Sequence, residues 1–353
     1  MPVLESEDGL IAACEVVFGG RRLDEPLLSF ALSAAVDLAV GKPGMFTLEM
    51  EGYGEGQSLE WMEDQRFALG TEVEVKMGYQ GGLKSLFWGE VMGMNLSFAA
   101  AQPPRLTVRA YDLSHRMTRG EKRRAFTNLK ASDIARKIAS EAGLTPRVTD
   151  SGDLREYVEQ QGLSDMAFLL RLAEEINYHL FVIRKEMVFQ PALRNTSASL
   201  SLGLDDDTLI DFQANLSLAR QVSEVVVQGW DAAKAEGIEG RAAAGEEAST
   251  MGGEKSASKL VKGKATSLIS DHPVVSQDEA YKLAHARLDK LSLDFIVASG
   301  SSLGSPGLLP GEIIKIGGAS KWFSGSYCLT GTTHRYDFAS GYTTSFRARR
   351  NSL

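Results

Sequence analysis

The sequence predicts an α+β fold that is mainly β: two similar antiparallel β-barrels with an α/β domain inserted between and around them. Three observations predict it. Apolar and polar residues alternate with period two near both ends of the chain, the period lengthens to that of a helix in the middle, and one order of β-motifs occurs twice. The length of 353 residues calls for more than one hydrophobic core. With 43% hydrophobic and 24% charged residues, the composition is that of a folded globular protein.

The first barrel is assigned to residues 1–112. Met45-Phe46-Thr47-Leu48-Glu49-Met50, Glu72-Val73-Glu74-Val75-Lys76-Met77 and Leu106-Thr107-Val108-Arg109-Ala110 each place apolar side chains on one face and polar ones on the other. Residues 113–196 form the α/β domain. Ile134, Ala135, Ile138, Ala139 and Ala142 recur at helical spacing, with Ser132 as the N-cap and Gly143 as the stop. A second helix starts at Ser164 and buries Phe168, Leu169, Leu172 and Ile176. A hairpin follows, with Arg184-Lys185-Glu186 between two apolar runs.

The second barrel is assigned to 197–230 and 295–353. Between its halves, 231–294 is expected to be a flexible loop plus a helix that packs with the α/β domain. Asp231 to Ser258 is Ala, Gly, Glu, Lys and Ser with hardly a large apolar residue, whereas Gln277 to Leu291 has helical periodicity behind a Ser276 cap. The two barrels echo each other. Leu69-Gly70-Thr71-Glu72-Val73-Glu74-Val75 precedes Phe87-Trp88-Gly89-Glu90-Val91 and then Leu106-Thr107-Val108-Arg109-Ala110. Leu309-Pro310-Gly311-Glu312-Ile313-Ile314-Lys315-Ile316 precedes Phe323-Ser324-Gly325-Ser326-Tyr327 and then Thr344-Ser345-Phe346-Arg347-Ala348. Three copies of a chain with a doubled barrel present six barrels around an axis, which matches a six-fold ring.

Charge and motifs narrow the chemistry. A net charge of −8 argues against a protein that coats nucleic acid. Cys14 and Cys328 form neither a disulfide framework nor a metal pair, and the five histidines have no ligand spacing. No phosphate-binding glycine loop is present, and Gly252-Gly253-Glu254-Lys255 lacks the required context. Asp205-Asp206-Asp207 reads as a solvated turn, and no GxSxG elbow exists. No cofactor, metal or catalytic residue is expected, and no apolar stretch is long enough for a spanning helix. The basic cluster Arg116, Arg119, Lys122, Arg123 and Arg124 reads as a salt-bridging surface, with Arg119, Arg123 and Arg124 facing neighbouring subunits. Trp61, with Trp88 and Trp322, is either an anchor at a subunit contact or part of a barrel core.

Several of these segments resemble the phage late control protein D family of tail hub proteins, which includes the hub portion of VgrG-type spikes. The likeness is carried by Trp88 and Gly89 of the Phe-Trp-Gly-Glu-Val turn, by Asp112, and by Ser164, Asp165, Phe168, Leu169 and Leu172 of the second helix. Gly311, Gly325, Tyr327, Gly341 and Tyr342 carry it near the end of the chain. The resemblance implies that the barrels are tail-tube-like and that the protein is a non-enzymatic baseplate hub. It implies a homotrimer adapting a six-fold tail tube to a three-fold spike, with baseplate wedge and adaptor proteins around it and a payload in the lumen. The spike is expected to be a separate protein, because no needle repeats follow. The protein is expected to be made in the cytoplasm and built into a phage tail or injection particle. The alternatives are the hub segment of a type VI secretion spike and a tail-associated cell-wall-degrading enzyme.

Overall fold

A computed structural model describes residues 11–24, 26–100, 102–193, 197–204, 208–231 and 234–353. The Asp205-Asp206-Asp207 turn therefore lies outside the described residues. The first part of the chain supplies β1 (Ala12–Phe18), β2 (Arg21–Arg22), β3 (Ala31–Ala39), β4 (Met45–Glu51), β5 (Glu72–Tyr79), β6 (Lys84–Ser97) and β7 (Arg105–Asp112). The middle supplies β8 (Lys122–Lys130), α1 (Ala131–Glu141), β9 (Thr145–Val148), β10 (Leu154–Leu163), α2 (Asp165–Glu175), β11 (Tyr178–Ile183) and β12 (Glu186–Pro191). Then come β13 (Leu200–Gly203), β14 (Leu209–Leu216), β15 (Glu224–Asp231), β16 (Glu236–Ala243), β17 (Thr266–Ile269) and α3 (Gln277–Ser292). The last are β18 (Ile296–Leu303), β19 (Ile313–Gly317), β20 (Gly325–Asp337) and β21 (Gly341–Arg350).

Both β-blocks belong to one curled sheet of 13 strands, ordered β14-β18-β21-β20-β3-β4-β7-β6-β5-β1-β2, with β13 and β19 branching from β20. The period-two alternation drives this. In β4 the buried Phe46, Leu48 and Met50 alternate with Met45, Thr47, Glu49 and Glu51, so one face is dry and the other polar. The dry face of the first block closes over Phe18, Phe46, Phe67, Val75, Phe87 and Val108. That of the second closes over Leu202, Phe295, Ile314, Tyr327, Leu329 and Phe346. The two cores are separate, which is why the chain carries two sets of alternating strands.

The α/β unit pairs β11-β12-β9 in one small sheet and β10-β8 in another, with α1 and α2 packed on them around Ile134, Ile138, Phe168, Leu169 and Leu172. Helix α1 begins two residues earlier than the sequence indicates. Its N-cap is Lys130, and Asp133 accepts the Lys130 backbone N–H at 3.3 Å; Ser132 sits inside the helix, fully buried. Helix α2 starts where expected, with the Ser164 hydroxyl accepting the Ala167 N–H at 3.2 Å.

Two expectations for the region before α3 are corrected. Residues 224–231, assigned to the second barrel, leave the large sheet as β15 and form a separate sheet, β16-β15-β17. Residues 236–243, expected to be a flexible loop, are strand β16, paired with β15 from Glu224↔Ala243 to Asp231↔Glu236. The small residues that looked like loop composition are a packing surface. Helix α3 lies against Val225, Val227, Ile238 and Ala242, so close that a Cβ on Gly240 would stand 2.1 Å from the Ala280 carbonyl carbon. The unit also touches α2 through the Lys290–Glu174 ion pair.

Candidate functional site

The two β-blocks are the same module. In the first, neighbouring strands run β1-β5-β6-β7-β4-β3; in the second, β13-β19-β20-β21-β18-β14. Corresponding pairs are antiparallel in both, except the outermost, where β1 pairs antiparallel with β5 and β13 parallel with β19. Two irregularities of register repeat as well. A bulge at Met92 is followed by Gly93 opposite Arg109, and a bulge at Thr330 by Gly331 opposite Arg347. A second bulge, at Leu32 before Ser33, has its counterpart at Ile210 before Asp211.

Gly70 and Gly311 enter the modules identically. Each has positive φ, 84° and 79°, and each donates its N–H at 2.8 Å to the carbonyl opposite, Val91 and Leu329. This register makes Tyr327, not Gly325, the counterpart of Gly89, two residues from the alignment that the sequence motifs imply. Gly89 admits no side chain, because a Cβ there would lie 2.2 Å from the Tyr111 carbonyl oxygen. At the corresponding point the second module has room for the fully buried Tyr327.

The modules meet through one strand pair. Beyond its bulge β20 parts from β19 and runs antiparallel to β3, from Gly331↔Ala39 to Asp337↔Ser33. The Thr333 hydroxyl donates to the Asp37 carboxylate at 2.6 Å across this junction. Thr332 and His334 are buried on its core side, and Tyr336 and Phe338 from the same strand end pack against the first module's core. His334 is held from both sides. Its Nε2 is 2.9 Å from the Leu308 carbonyl oxygen, which can only accept, so Nε2 carries the proton and Nδ1 accepts from the Tyr342 hydroxyl at 2.8 Å. Burial lowers the His334 pKa to about 4, so the ring is neutral at pH 7. Tyr342 is buried beside it, and Gly341, with a positive φ of 95°, opens β21 just before it.

Trp88 and Gly311 lie where the α/β unit meets the modules, Gly325 within the second module and Asp165 within the α/β unit. Trp88 lies under the Lys185 ammonium, 3.6 Å from its ring centroid. Gly311 faces Phe181 and the Gln190 amide of the hairpin β11-β12, and Gly325 faces the Arg350 guanidinium. Asp165 accepts from Lys122 at 2.6 Å, Arg124 at 2.8 Å and Gln160 at 2.9 Å. Burial pushes its carboxyl up, but these donors outweigh it and the pKa lies below the usual carboxylate range.

Asp112 ends β7 fully buried, accepting the N–H groups of Gly44 and Ser114. Burial raises its pKa from 3.8 to about 6 against the pull of those bonds. A folded-state pKa above the unfolded one stabilises the fold below the unfolded value, and this contribution is lost as pH rises through the folded value. Between pH 3.8 and about 6 the wild-type chain should therefore lose about 2 kcal/mol relative to Asp112→Asn, measured by urea unfolding at several pH values. A difference that does not change with pH would contradict this.

The subunit-contact candidates separate. Trp61, expected as an exposed anchor or a core residue, is buried in the first core, stacked on Phe30 at 4.5 Å. Arg124 is turned inward, to Gln160, Glu141 and Asp165. Arg116 pairs with Glu90. Arg119 and Arg123 keep exposed head groups, Arg119 touching the Met92 sulfur at 3.6 Å and Arg123 3.7 Å from Glu159. Among the described residues no group of three or more His, Cys, Asp or Glu is placed to hold a metal ion. No helix there is long and apolar enough to cross a membrane.

Residues 33–337 match the family model described as the Alg8 N-terminal domain. The chain belongs to the Alg8 N-terminal domain family. No curated protein matches it in sequence. The chain is similar to a prophage MuSo2 43 kDa tail protein from Shewanella oneidensis, at 15% identity and a TM-score of 0.75, over 96% of this chain and 98% of that one. A tail protein from Neisseria meningitidis follows at 12% identity and a TM-score of 0.71, over 96% of both chains. An Escherichia coli component of the type VI secretion system matches at 16% identity and a TM-score of 0.59, over 96% of this chain and 77% of that one. The fold expected from the resemblance to tail hub proteins is thus present in this chain over nearly its whole length.

Proposed function

We propose that this chain is the baseplate hub of a contractile injection system or phage tail, a homotrimer that adapts a six-fold tail tube to a three-fold spike. The repeated module carries the reading, because two equivalent modules per chain turn three copies into six near-equivalent positions. The tail proteins of matching fold support it. The work is mechanical. The polar face of the sheet offers an exposed lining of Ser and Arg, among them Ser299, Ser345, Arg109 and Arg347, for a tube that passes a payload. The tail tube protein, a separate spike and wedge and adaptor proteins are its partners, and the exposed Arg119 and Arg123 are surfaces for such contacts. The particle that contains it is assembled from protein made in the cytoplasm.

A second reading is the hub segment of a type VI secretion spike, favoured by the likeness to a secretion component of which this fold covers 77%. A wall-degrading tail enzyme fits less well. It needs one carboxylic acid kept protonated beside a second carboxylate, whereas Glu174 and Asp294, which line a groove of about 1400 Å³, are each bonded to a cation, Lys290 and Arg349.

The test is a count in particles purified from the producing cell. Quantitative mass spectrometry should find three copies per tail, and deleting the gene should abolish particles without removing any bond-breaking activity. Intact particles without the chain, or six copies per tail, would contradict the proposal.

A further inference from the structure

Each module has the same two places where another strand can add, and only one of the two junctions is filled within the chain. The filled one joins the free half of β20 to β3. Register assigns the corresponding pair: the half of β6 beyond its bulge, Gly93–Ser97, is the counterpart of Gly331–Arg335, and β14 is the counterpart of β3. Both are open among the described residues. β6 pairs with β5 only through Glu90, and β14 is the last strand on its side of the sheet, bonded to β18 alone.

These edges are built for pairing. Met94, Leu96 and Phe98, which follow the bulge as Thr332, His334 and Tyr336 do in the second module, are 47%, 50% and 61% exposed. Of their counterparts, Thr332 and His334 are buried and Tyr336 packs against the neighbouring module's core. On β14 and just beyond it, Ile210 and Leu218 are exposed and Phe212 and Leu216 only partly covered. Neither stretch carries a lysine or proline, the residues that blunt an exposed edge, whereas the opposite end of the sheet, β2, is two exposed arginines.

We infer that β14 of one copy of this chain adds antiparallel to the free half of β6 of the next, repeating between chains the junction that β20 and β3 make within one. The register follows: Gly93 opposite Ser217, Met94 opposite Leu216, Asn95 opposite Asn215, Leu96 opposite Ala214 and Ser97 opposite Gln213 of the neighbouring copy. The Asn95–Asn215 pair takes the place of the hydrogen-bonded Thr333 and Asp37, and Phe98 reaches the neighbour's second core as Tyr336 reaches the first. Each chain then has one edge of each kind, a head-to-tail contact that closes into a ring. The number of copies rests on the hub reading; the edges rest on the repeated register alone.

Cysteines at Asn95 and Asn215 test this. Residues directly opposite in an antiparallel pair have Cα atoms roughly 4.5–5.5 Å apart, within disulfide reach, whereas a diagonal neighbour lies about 7–8 Å away. The full chain carrying Asn95→Cys and Asn215→Cys, mildly oxidised, should give linked species ending at the trimer on a non-reducing gel. Asn95→Cys with Gln213→Cys, two residues off register, should not link. Leu96→Asp, at an exposed position, should weaken association at least tenfold by sedimentation without changing the circular dichroism of the dissociated chain. A trimer by native mass spectrometry whose in-register cysteines fail to link overturns the edge assignment and leaves the hub reading standing. In-register linkage that continues past three copies keeps the edges and overturns the trimer. A chain that stays monomeric and unlinked at every accessible concentration overturns both.

Discussion

Tyr327→Ala should destabilise the chain by about 4 kcal/mol, the range for removing a large aromatic from a core that relaxes only partly. Tyr327 is fully buried and is the largest such side chain of the second module. Its ring meets Phe212 of β14 edge-on at 5.9 Å, and its hydroxyl donates to the Phe323 carbonyl at 2.7 Å. Truncation therefore leaves a cavity under the sheet and withdraws support from the β14 edge together. Tyr327→Phe keeps the ring and loses only the hydroxyl bond, so it should cost about 1 kcal/mol. Guanidinium unfolding monitored by circular dichroism measures both. Equal costs for the two variants would mean that the ring is not packed as described.

The second large effect is expected at Gly240→Val, which should cost about 3 kcal/mol, the upper part of the range for overpacking. A Cβ at this position would meet the backbone of Ala280 and Tyr281 at 2.1–2.4 Å. Backbone cannot rotate away as a side chain tip can, so helix α3 must lift from β16. Limited proteolysis should then cut within 236–292 before it cuts the large sheet. An unchanged melting temperature and digestion pattern would refute close packing of α3.

Much of this architecture was readable from residue order, and the failures have physical causes. Period-two alternation located β4, β5 and β7, and the Ser164 and Ser276 caps located the starts of α2 and α3, because both signals are local. The echo between the β-blocks was real, but glycine punctuation misaligned its middle. The motif spacing sets Gly325 against Gly89, whereas the hydrogen bonds of Gly70 and Gly311 place Tyr327 there. Punctuation marks turns, and pairing register is decided by bulges that no residue type announces. Residues 236–243 looked unstructured because Gly and Ala bury little surface by themselves; opposite a helix they are what permits contact. Trp61 is part of a core, one of the two roles the sequence left open, and Arg124 serves an intrachain network that needs Asp165 and Glu141, distant in sequence, to be visible. Of the motif residues, Trp88 and Gly311 lie where the α/β unit meets the modules, whereas Asp165, Phe168, Leu169 and Leu172 lie inside the α/β unit and Tyr327 inside the second core, and the open edges of β6 and β14 emerged only from the sheet.

Electron cryo-microscopy of the chain in its assembled state, averaged without imposed symmetry, tests the central claim most directly. The account predicts a three-fold ring in which six modules lie at one radius and one height, with β14 of each chain continuing the sheet of the next. A two-fold dimer, or a three-fold particle whose first and second modules lie at different radii, would contradict it.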